Sequence, residues 1–484
     1  DKRYVVKCTY GRYFNVSSRP AMFIGYSQSF QVQRLTLLSD FTMIMADARI
    51  VMFLVLAVVC IWPLGVTDSK YTGKVLLISM DGFRWDYIER HRTPNFNAFA
   101  AEGVRAQYIN NTFITKTFPC HYSIVTGLYE ESHGIIANKM YDPEFNETFT
   151  MATKTSKWWD GGEPIWVTAR KHGKKSAIYF WPGSETEIHG FFPNIWKKYN
   201  ESDPFNNRID TVIHWLLDDQ ADIVALYFHE PDYTGHIFGP NSTEVSRKVE
   251  EMDGWLGYLV KNLTDHGLWD KVNVIVTSDH GMAAVDVNSR VIDIYDFVDP
   301  RAIKLTTSDG EILNILPVGG KEDEIVRNLT NHPHMTVYKK QDIPEYWHYK
   351  NNRRILPILL VAEEGWLIVK NLTAYRPGNV SGAHGYDNHL SSMKPIFYAR
   401  GPDFKRNYLA KPFNSIDLYP LMCKLLGINP APNNGTLDNT ADILASSVTS
   451  SAMSNTWFVA YAMRKVAEVL TCMLVFIFSF FSRF

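Results

Sequence analysis

Seven side chains spread along the chain, Asp81, Thr117, Asp232, His236, Asp279, His280 and His384, are of the types that hold divalent metals and supply a hydroxyl nucleophile. Together they read as a two-metal phosphoryl-transfer site in which Thr117 attacks phosphorus. A phosphodiester is anionic and resists attack. Its hydrolysis needs cations that neutralise the phosphoryl oxygens and lower the pKa of the attacking hydroxyl. Two metals ~4 Å apart can hold the nucleophile on one side and the leaving oxygen on the other. Mixed Asp and His donors suit zinc better than magnesium, which prefers oxygen and water, so two Zn2+ ions are expected. Asp232 and His236 are four residues apart, as two ligands on one helical turn would be, and Asp279 with His280 supplies adjacent donors.

Thr117 lies in the run NTFITKTFPCHYSIVTGLYEESHGIIAN, just before Pro119. Proline there marks the start of a helix, whose first backbone N–H groups are expected to point at an anion. Asn138, at the end of the same run, can donate its amide to a non-bridging phosphoryl oxygen. Cys120 has no base paired with it in the sequence, and His121, His133 and His389 are read as structural.

The elements that must position these groups follow a common format. KVLLISMD, DIVALYFHEPD and VNVIVTSDH are hydrophobic, β-prone runs that stop at Asp81, at Asp232 and at Asp279 with His280. Ligand sites of open α/β sheets lie outside the carboxyl ends of the strands, so three such acids converge on one crevice. A single strand-end aspartate would be accounted for as the cap of the next helix. Further strand-like runs are SAIYF at 176–180, ILPILLVAEEGW at 355–366 and KPIFYA at 394–399, while RIDTVIHWLLDD and SRKVEEMDGWLGYLVKNL read as covering helices. Alternation of the two kinds predicts an α/β sandwich.

Composition bounds the rest. The 484 residues are 46% hydrophobic and 14% aromatic, enough for a large core, and a net charge of −2 with scattered lysines and arginines gives no reason to expect a nucleic-acid partner. Met45 opens MADAR, followed by the apolar run Ile50–Val59 and small residues near Gly65 and Thr67, which together read as a secretory signal peptide over 45–67. Residues 1–44 then read as a non-native upstream extension, and residues 68–445 as one catalytic domain. Export is also the reading of nine N-x-S/T sequons, at Asn110, Asn146, Asn200, Asn241, Asn262, Asn328, Asn371, Asn379 and Asn434, which imply N-glycans. Cys423, in an apolar run, is expected to be a buried free thiol. Residues 446–484 join a Ser- and Ala-rich spacer to the apolar segment Val466–Phe481. That tail reads either as a single-pass membrane anchor or as a removable lipid-anchor signal, and both place the catalytic domain at the cell surface.

VLLISMDGFRWDY, TKTFPCHYSIVTGLYEESHGIIAN, EPDYTGHIFGP, TSDHGM and HGYDN are similar, in order and spacing, to the ectonucleotide pyrophosphatase/phosphodiesterase family of the alkaline phosphatase superfamily, over roughly residues 72–440. Short architecture makes the chain most like the membrane-anchored type 4 and type 5 members. The resemblance implies an alkaline-phosphatase-like sandwich with a central, mostly parallel sheet. It implies that Asp232, His236 and His384 bind one zinc and that Asp81, Thr117, Asp279 and His280 bind the other. It also implies that Thr117 becomes transiently bonded to a nucleoside monophosphate, with Asn138 as oxyanion donor. The base would lie between Phe118 and Tyr199, with Lys116 and Tyr227 near the substrate.

One position departs from the pattern. Cys120 stands where nucleotide-cleaving members have Asn, and a Cys there resembles the branch that cleaves choline phospholipids. Phe118 and the WPG segment favour a nucleotide or dinucleotide. A sulfatase would need C-x-P-x-R, which Cys120-His121-Tyr122 does not provide. A catalytically silent cell-surface protein of the same fold would have lost ligands, and all seven positions are filled.

Overall fold

The computed structural model describes residues 73–445, apart from 309 and 375–377. The expected extension, signal peptide and anchor lie outside these residues. No helix among the described residues is long and apolar enough to cross a membrane.

Strand β1 (Val75–Met80) is buried at all six positions, because layers cover both faces of the sheet to which it belongs. Val75 and Leu77 face one core with helix α1 (Thr117–Thr126) and the helices Ile165–Lys171 and Leu418–Leu426. Leu76, Ile78 and Met80 face the other, with the helices Pro94–Ala101, Phe205–Leu217 and Thr243–Asp265. Alternation along one strand therefore feeds two cores, and the architecture is the α/β sandwich that the sequence predicts. The long helix Thr243–Asp265 starts where the Ser242 hydroxyl accepts the Val245 N–H at 3.1 Å, and it buries one stripe from Val245 to Leu263.

The sheet has eight strands, in the order Tyr408–Ala410, Val104–Ala106, Phe397–Arg400, Asn273–Thr277, β1, Ile223–Phe228, Ser176–Tyr179 and Ile195–Lys197. Its pairings are parallel except those of Phe397–Arg400, which runs against both neighbours. β2 (Ile223–Phe228) and β3 (Asn273–Thr277) flank β1 in parallel, so the three carboxyl ends open on the same edge. The run at 355–366 forms a strand at Ile358–Ala362, but in a separate four-stranded antiparallel sheet with Ile303–Thr307, Ile312–Pro317 and Met335–Lys339. Leu313, Ile315, Ile358 and Leu360 of that sheet pack with Ile325 and Leu329 of its covering helix, while Ile312, Leu359 and Val361 join the core beneath α1.

Candidate active site

Asp81 follows β1 directly, the turn after β2 leads into the helix that begins at Asp232, and the loop after β3 carries the Asp279-His280 pair. The turns are laced together: the Asp81 N–H donates to Phe228 O at 2.9 Å, and the Asp232 N–H donates to Asp81 O at 3.0 Å. Gly82 makes this approach possible. It has φ +65°, and a Cβ there would lie 2.7 Å from Cβ of Asp232. Asp232 and His236 sit on the first and second turns of helix α2 (Asp232–Phe238), and His384 follows a two-residue strand, Gly382–Ala383, paired with Ala283–Ala284.

The fold gathers six of the proposed ligands into two trios, Asp232 with His236 and His384, and Asp81 with Asp279 and His280. Within each trio the donor atoms lie within 4.8 Å of one another. Every histidine is oriented in the same way: Nδ1 of His236 meets Gly382 O at 2.8 Å, that of His384 meets Thr115 O at 2.8 Å, and that of His280 meets Gly281 O at 2.9 Å. A carbonyl only accepts, so Nδ1 carries the proton and Nε2 of a neutral ring points into the site as a bare lone pair. Nε2 of His236 and Nε2 of His384 are 3.1 Å apart. Two ring nitrogens opposed at that distance, beside Asp232 at 3.4 and 3.5 Å, could hold a cation. Oδ1 of Asp81, Oδ1 of Asp232, Oδ2 of Asp279 and Nε2 of His280 are buried without a hydrogen-bond partner, which a metal would supply.

Electrostatics divide the donor set: burial acts to lower the His280 pKa, but the charge of Asp279, with Oδ2 2.9 Å from Nε2, outweighs it and raises that imidazole. Burial, then the charges of Asp279 and Asp232, push the Asp81 carboxyl well above the usual carboxylate range. Burial also acts to raise Asp279, but the charges of His280 and His121 outweigh it and hold that carboxyl well below its ordinary value. Burial, followed by the charges of His280, Lys116 and His236, keeps His384 far below the usual imidazole range, hence neutral and able to ligate.

Thr117 is the first residue of α1 and lines the same cavity as Asp81, Asp232, His236 and His384. The amides expected around it are mostly engaged, which corrects the picture of a free helix start. The Phe118 N–H donates to Asn138 Oδ1 at 2.9 Å, Pro119 has none, and the Cys120 N–H donates to Lys116 O at 3.0 Å. Asn138, which lines the cavity, therefore spends its carbonyl on α1, and its NH2 group is not needed for that bond.

That cavity, of about 450 Å³, also brings together Lys116, Phe118, Tyr199 and Tyr227. Phe118 is half-buried against Phe149 and Trp159, with ring centroids at 6.3 and 6.0 Å. Tyr199 is 43% exposed and meets Phe180 edge-on at 5.2 Å. Tyr227 does more than line the cavity: its hydroxyl donates to Asp81 Oδ2 at 2.6 Å, which orients that carboxylate. Lys116 does not stand free, because its ammonium pairs with Glu311 at 2.5 Å.

His121, which sequence reasoning left as structural, lies inside the machinery. Its Nδ1 is 2.8 Å from Thr117 O and 3.2 Å from Asp279 Oδ2, and its Nε2 is 2.8 Å from Ser79 Oγ. It couples Thr117, the candidate nucleophile, to a carboxylate of the buried trio. The available signal was its position one turn after Thr117. His133 and His389 lie outside the site, the first buried against Ser123 and the second exposed beside Asp387. Cys120 is fully buried and points at Thr112 O and Ile114 O rather than into the cavity, and burial pushes its thiol pKa well up. Cys423 is a buried free thiol, as expected.

Residues 75–387 match the type I phosphodiesterase/nucleotide pyrophosphatase family. A bis(5'-adenosyl)-triphosphatase of Xenopus laevis is 46% identical over 78% of this chain and 83% of its own length. Human ectonucleotide pyrophosphatase/phosphodiesterase family member 5 is 43% identical over 78% of this chain and 79% of its own length. Among solved structures, an inactive variant of murine ectonucleotide pyrophosphatase/phosphodiesterase 5 in complex with AMP superposes with a TM-score of 0.74 at 43% identity, covering 77% of this chain and all of that one.

Proposed function

Because the chain belongs to the type I phosphodiesterase/nucleotide pyrophosphatase family, we propose that it hydrolyses nucleotide phosphodiester or pyrophosphate bonds, releasing nucleoside 5'-monophosphate through a threonine-bound intermediate. The observation that carries this reading is the pair of donor trios with their histidines locked by Nδ1, opening on one cavity with Thr117. Asp232, His236 and His384 would hold one Zn2+, and Asp81, Asp279 and His280 the other, with Thr117 completing the second set. The metals would supply charge neutralisation at the phosphoryl oxygens and a lowered pKa for the attacking hydroxyl.

The chain's own residues do the rest. Thr117 Oγ forms the new bond to phosphorus as the bond to the leaving oxygen breaks, and water then cleaves the phosphothreonine and restores the hydroxyl. The Asn138 amide donates to a non-bridging oxygen. His121 holds the Thr117 carbonyl and the Asp279 carboxylate in one frame. Phe118 and Tyr199 present ring faces to the base, which stacking alone binds without strong selection among bases.

The nucleotide class is supported by AMP in the murine relative and by these two rings. Cys120, the one residue that favoured a choline phospholipid, is buried away from the cavity and cannot meet a headgroup. Product analysis tests the reading. Purified protein should release nucleoside 5'-monophosphate from ATP, NAD or a dinucleoside polyphosphate, whereas phosphocholine as sole product would overturn it. We also place the catalytic domain outside the cell, glycosylated and held by the tail after residue 445. Asn146, Asn200, Asn241, Asn328 and Asn434 are exposed, as acceptors must be. Unglycosylated protein in the cytosol of animal cells would contradict that placement.

A further inference from the structure

Two lysines are the only lysine or arginine residues among the described residues that line the cavity, and each already has a carboxylate. Lys154 Nζ lies 3.6 Å from Glu185 Oε1, the oxygen that also accepts the Tyr199 N–H at 3.1 Å. Lys116 Nζ lies 2.5 Å from Oε2 of Glu311, a residue 5% exposed that stands behind the cavity at the start of a strand of the smaller sheet. The second pair is built in from several sides. Lys116 and Glu311 lie over Gly385, where a Cβ would come within 2.5 Å of Lys116 Cε and 3.0 Å of Glu311 Oε2. Gly385 follows the ligand His384, and its N–H donates to the Thr115 hydroxyl at 2.9 Å. Glu311 itself is fixed by the Ala362 N–H donating to its carbonyl at 2.8 Å.

We infer that Glu311 is a specificity-determining residue: by holding the ammonium next to the nucleophile in a neutral pair, it makes the site discriminate against substrates whose phosphate chain ends uncapped. This rests on the nucleotide phosphodiesterase reading above. Lys116 precedes Thr117 and lines the cavity, so a free ammonium there would lie within side-chain reach of the phosphates beyond the scissile bond. A nucleoside triphosphate carries a terminal phosphate with more negative charge than an esterified chain of the same length, and gains most from such a cation. With the ammonium already paired, that advantage is cancelled, and a chain esterified at both ends, which carries less charge there, loses less. Glu311 touches no substrate in this account. It acts through Lys116.

The test compares kcat/KM for ATP and for diadenosine triphosphate in the metal-loaded protein, in Glu311→Gln, and in Glu311→Gln combined with Lys116→Met. Glu311→Gln should raise the ATP to diadenosine triphosphate ratio by about tenfold, the effect of one released charge at a partly solvated site, mainly through KM. The gain should shrink with added salt and vanish in the double variant. An unchanged ratio, an equal loss on both substrates, or a gain that persists without Lys116 would each overturn the assignment. In a Thr117→Ala background, calorimetry should show Glu311→Gln tightening ATP relative to AMP. If the parent protein cleaves neither substrate while this binding shift is present, the activity reading fails and the role of Glu311 stands.

Discussion

Removing the Tyr199 ring separates nucleotide recognition from chemistry. Tyr199 is 43% exposed, and its segment is braced by Arg208, whose guanidinium donates to the carbonyls of Glu201, Asp203 and Tyr227 at 2.9, 2.9 and 3.1 Å. Tyr199→Ala therefore opens no core cavity and leaves the loop held, so stability should stay within about 0.5 kcal/mol of the parent. Base stacking on an aromatic ring contributes about 1–3 kcal/mol. A ring 43% exposed, supported edge-on by Phe180 and with Tyr227 at 6.2 Å, belongs in the lower half of that range. About 1–2 kcal/mol corresponds to roughly a 5- to 30-fold rise in KM for a nucleotide. The assay is steady-state kinetics on a nucleoside monophosphate aryl ester and on an aryl phosphodiester without a base. The first should lose affinity while the second is unchanged and kcat for both is retained. Equal effects on the two substrates would refute the base sandwich. Phe118→Ala should show the same selectivity with an added stability loss, since Phe118 also packs on Phe149 and Trp159.

Three other outcomes follow from the geometry. His384→Ala should lower the zinc content and reduce turnover by more than the ~10–100-fold typical of changes outside the ligand set, and chelation of the parent should do the same until zinc is restored; elemental analysis without zinc, with chelators inert, would contradict this. Thr117→Ala should abolish turnover with fold and metal content retained, and Thr117→Ser should keep part of it, so parent-like turnover by the alanine variant would refute the threonine mechanism. His133 accepts the Ile135 N–H at 3.0 Å and lies 2.9 Å from Ser123 Oγ on α1, a pattern that fits only a neutral ring. Burial, then Arg354, holds its pKa at about 3 against 6.5 in an unfolded chain. Between those values the unfolded chain binds more protons, so stability falls as pH falls, by a slope approaching about 1.4 kcal/mol per unit and by about 1.6 kcal/mol in all from pH 6.5 to pH 5. Denaturant melts of the parent and His133→Gln should diverge by that amount on acidification, and parallel curves would refute it.

The candidate ligands Asp81, Asp232, Asp279 and His280 were readable because a parallel strand that ends at an acid announces both its element and its edge. β1, β2 and β3 are local runs, and convergence of their ends is a property of the sheet rather than of any contact. What sequence could not supply were pairings set by tertiary packing. Lys116 and Glu311 are 195 positions apart, one just before α1 and the other just before the strand Ile312–Pro317, so nothing local links them. His121 reads as one more helical histidine until Ser79 and Asp279 are seen against its ring. The helix start at Thr117 carried the usual signs of an anion site, yet Asn138, twenty positions later, takes the Phe118 amide. Cys120 was legible only as a residue type, because a position three residues after Thr117 does not say which way its side chain points, here at Thr112 O and Ile114 O.

The most direct test of the account is the stereochemical course at phosphorus. A nucleoside 5'-phosphorothioate diester of known configuration, hydrolysed in 18O-labelled water, would yield a nucleoside 5'-phosphorothioate whose chirality reports the number of displacements. Transfer through Thr117 comprises two in-line steps, so the account predicts net retention with the nucleoside carried on the labelled product. Net inversion, which a single direct attack by water produces, would contradict it.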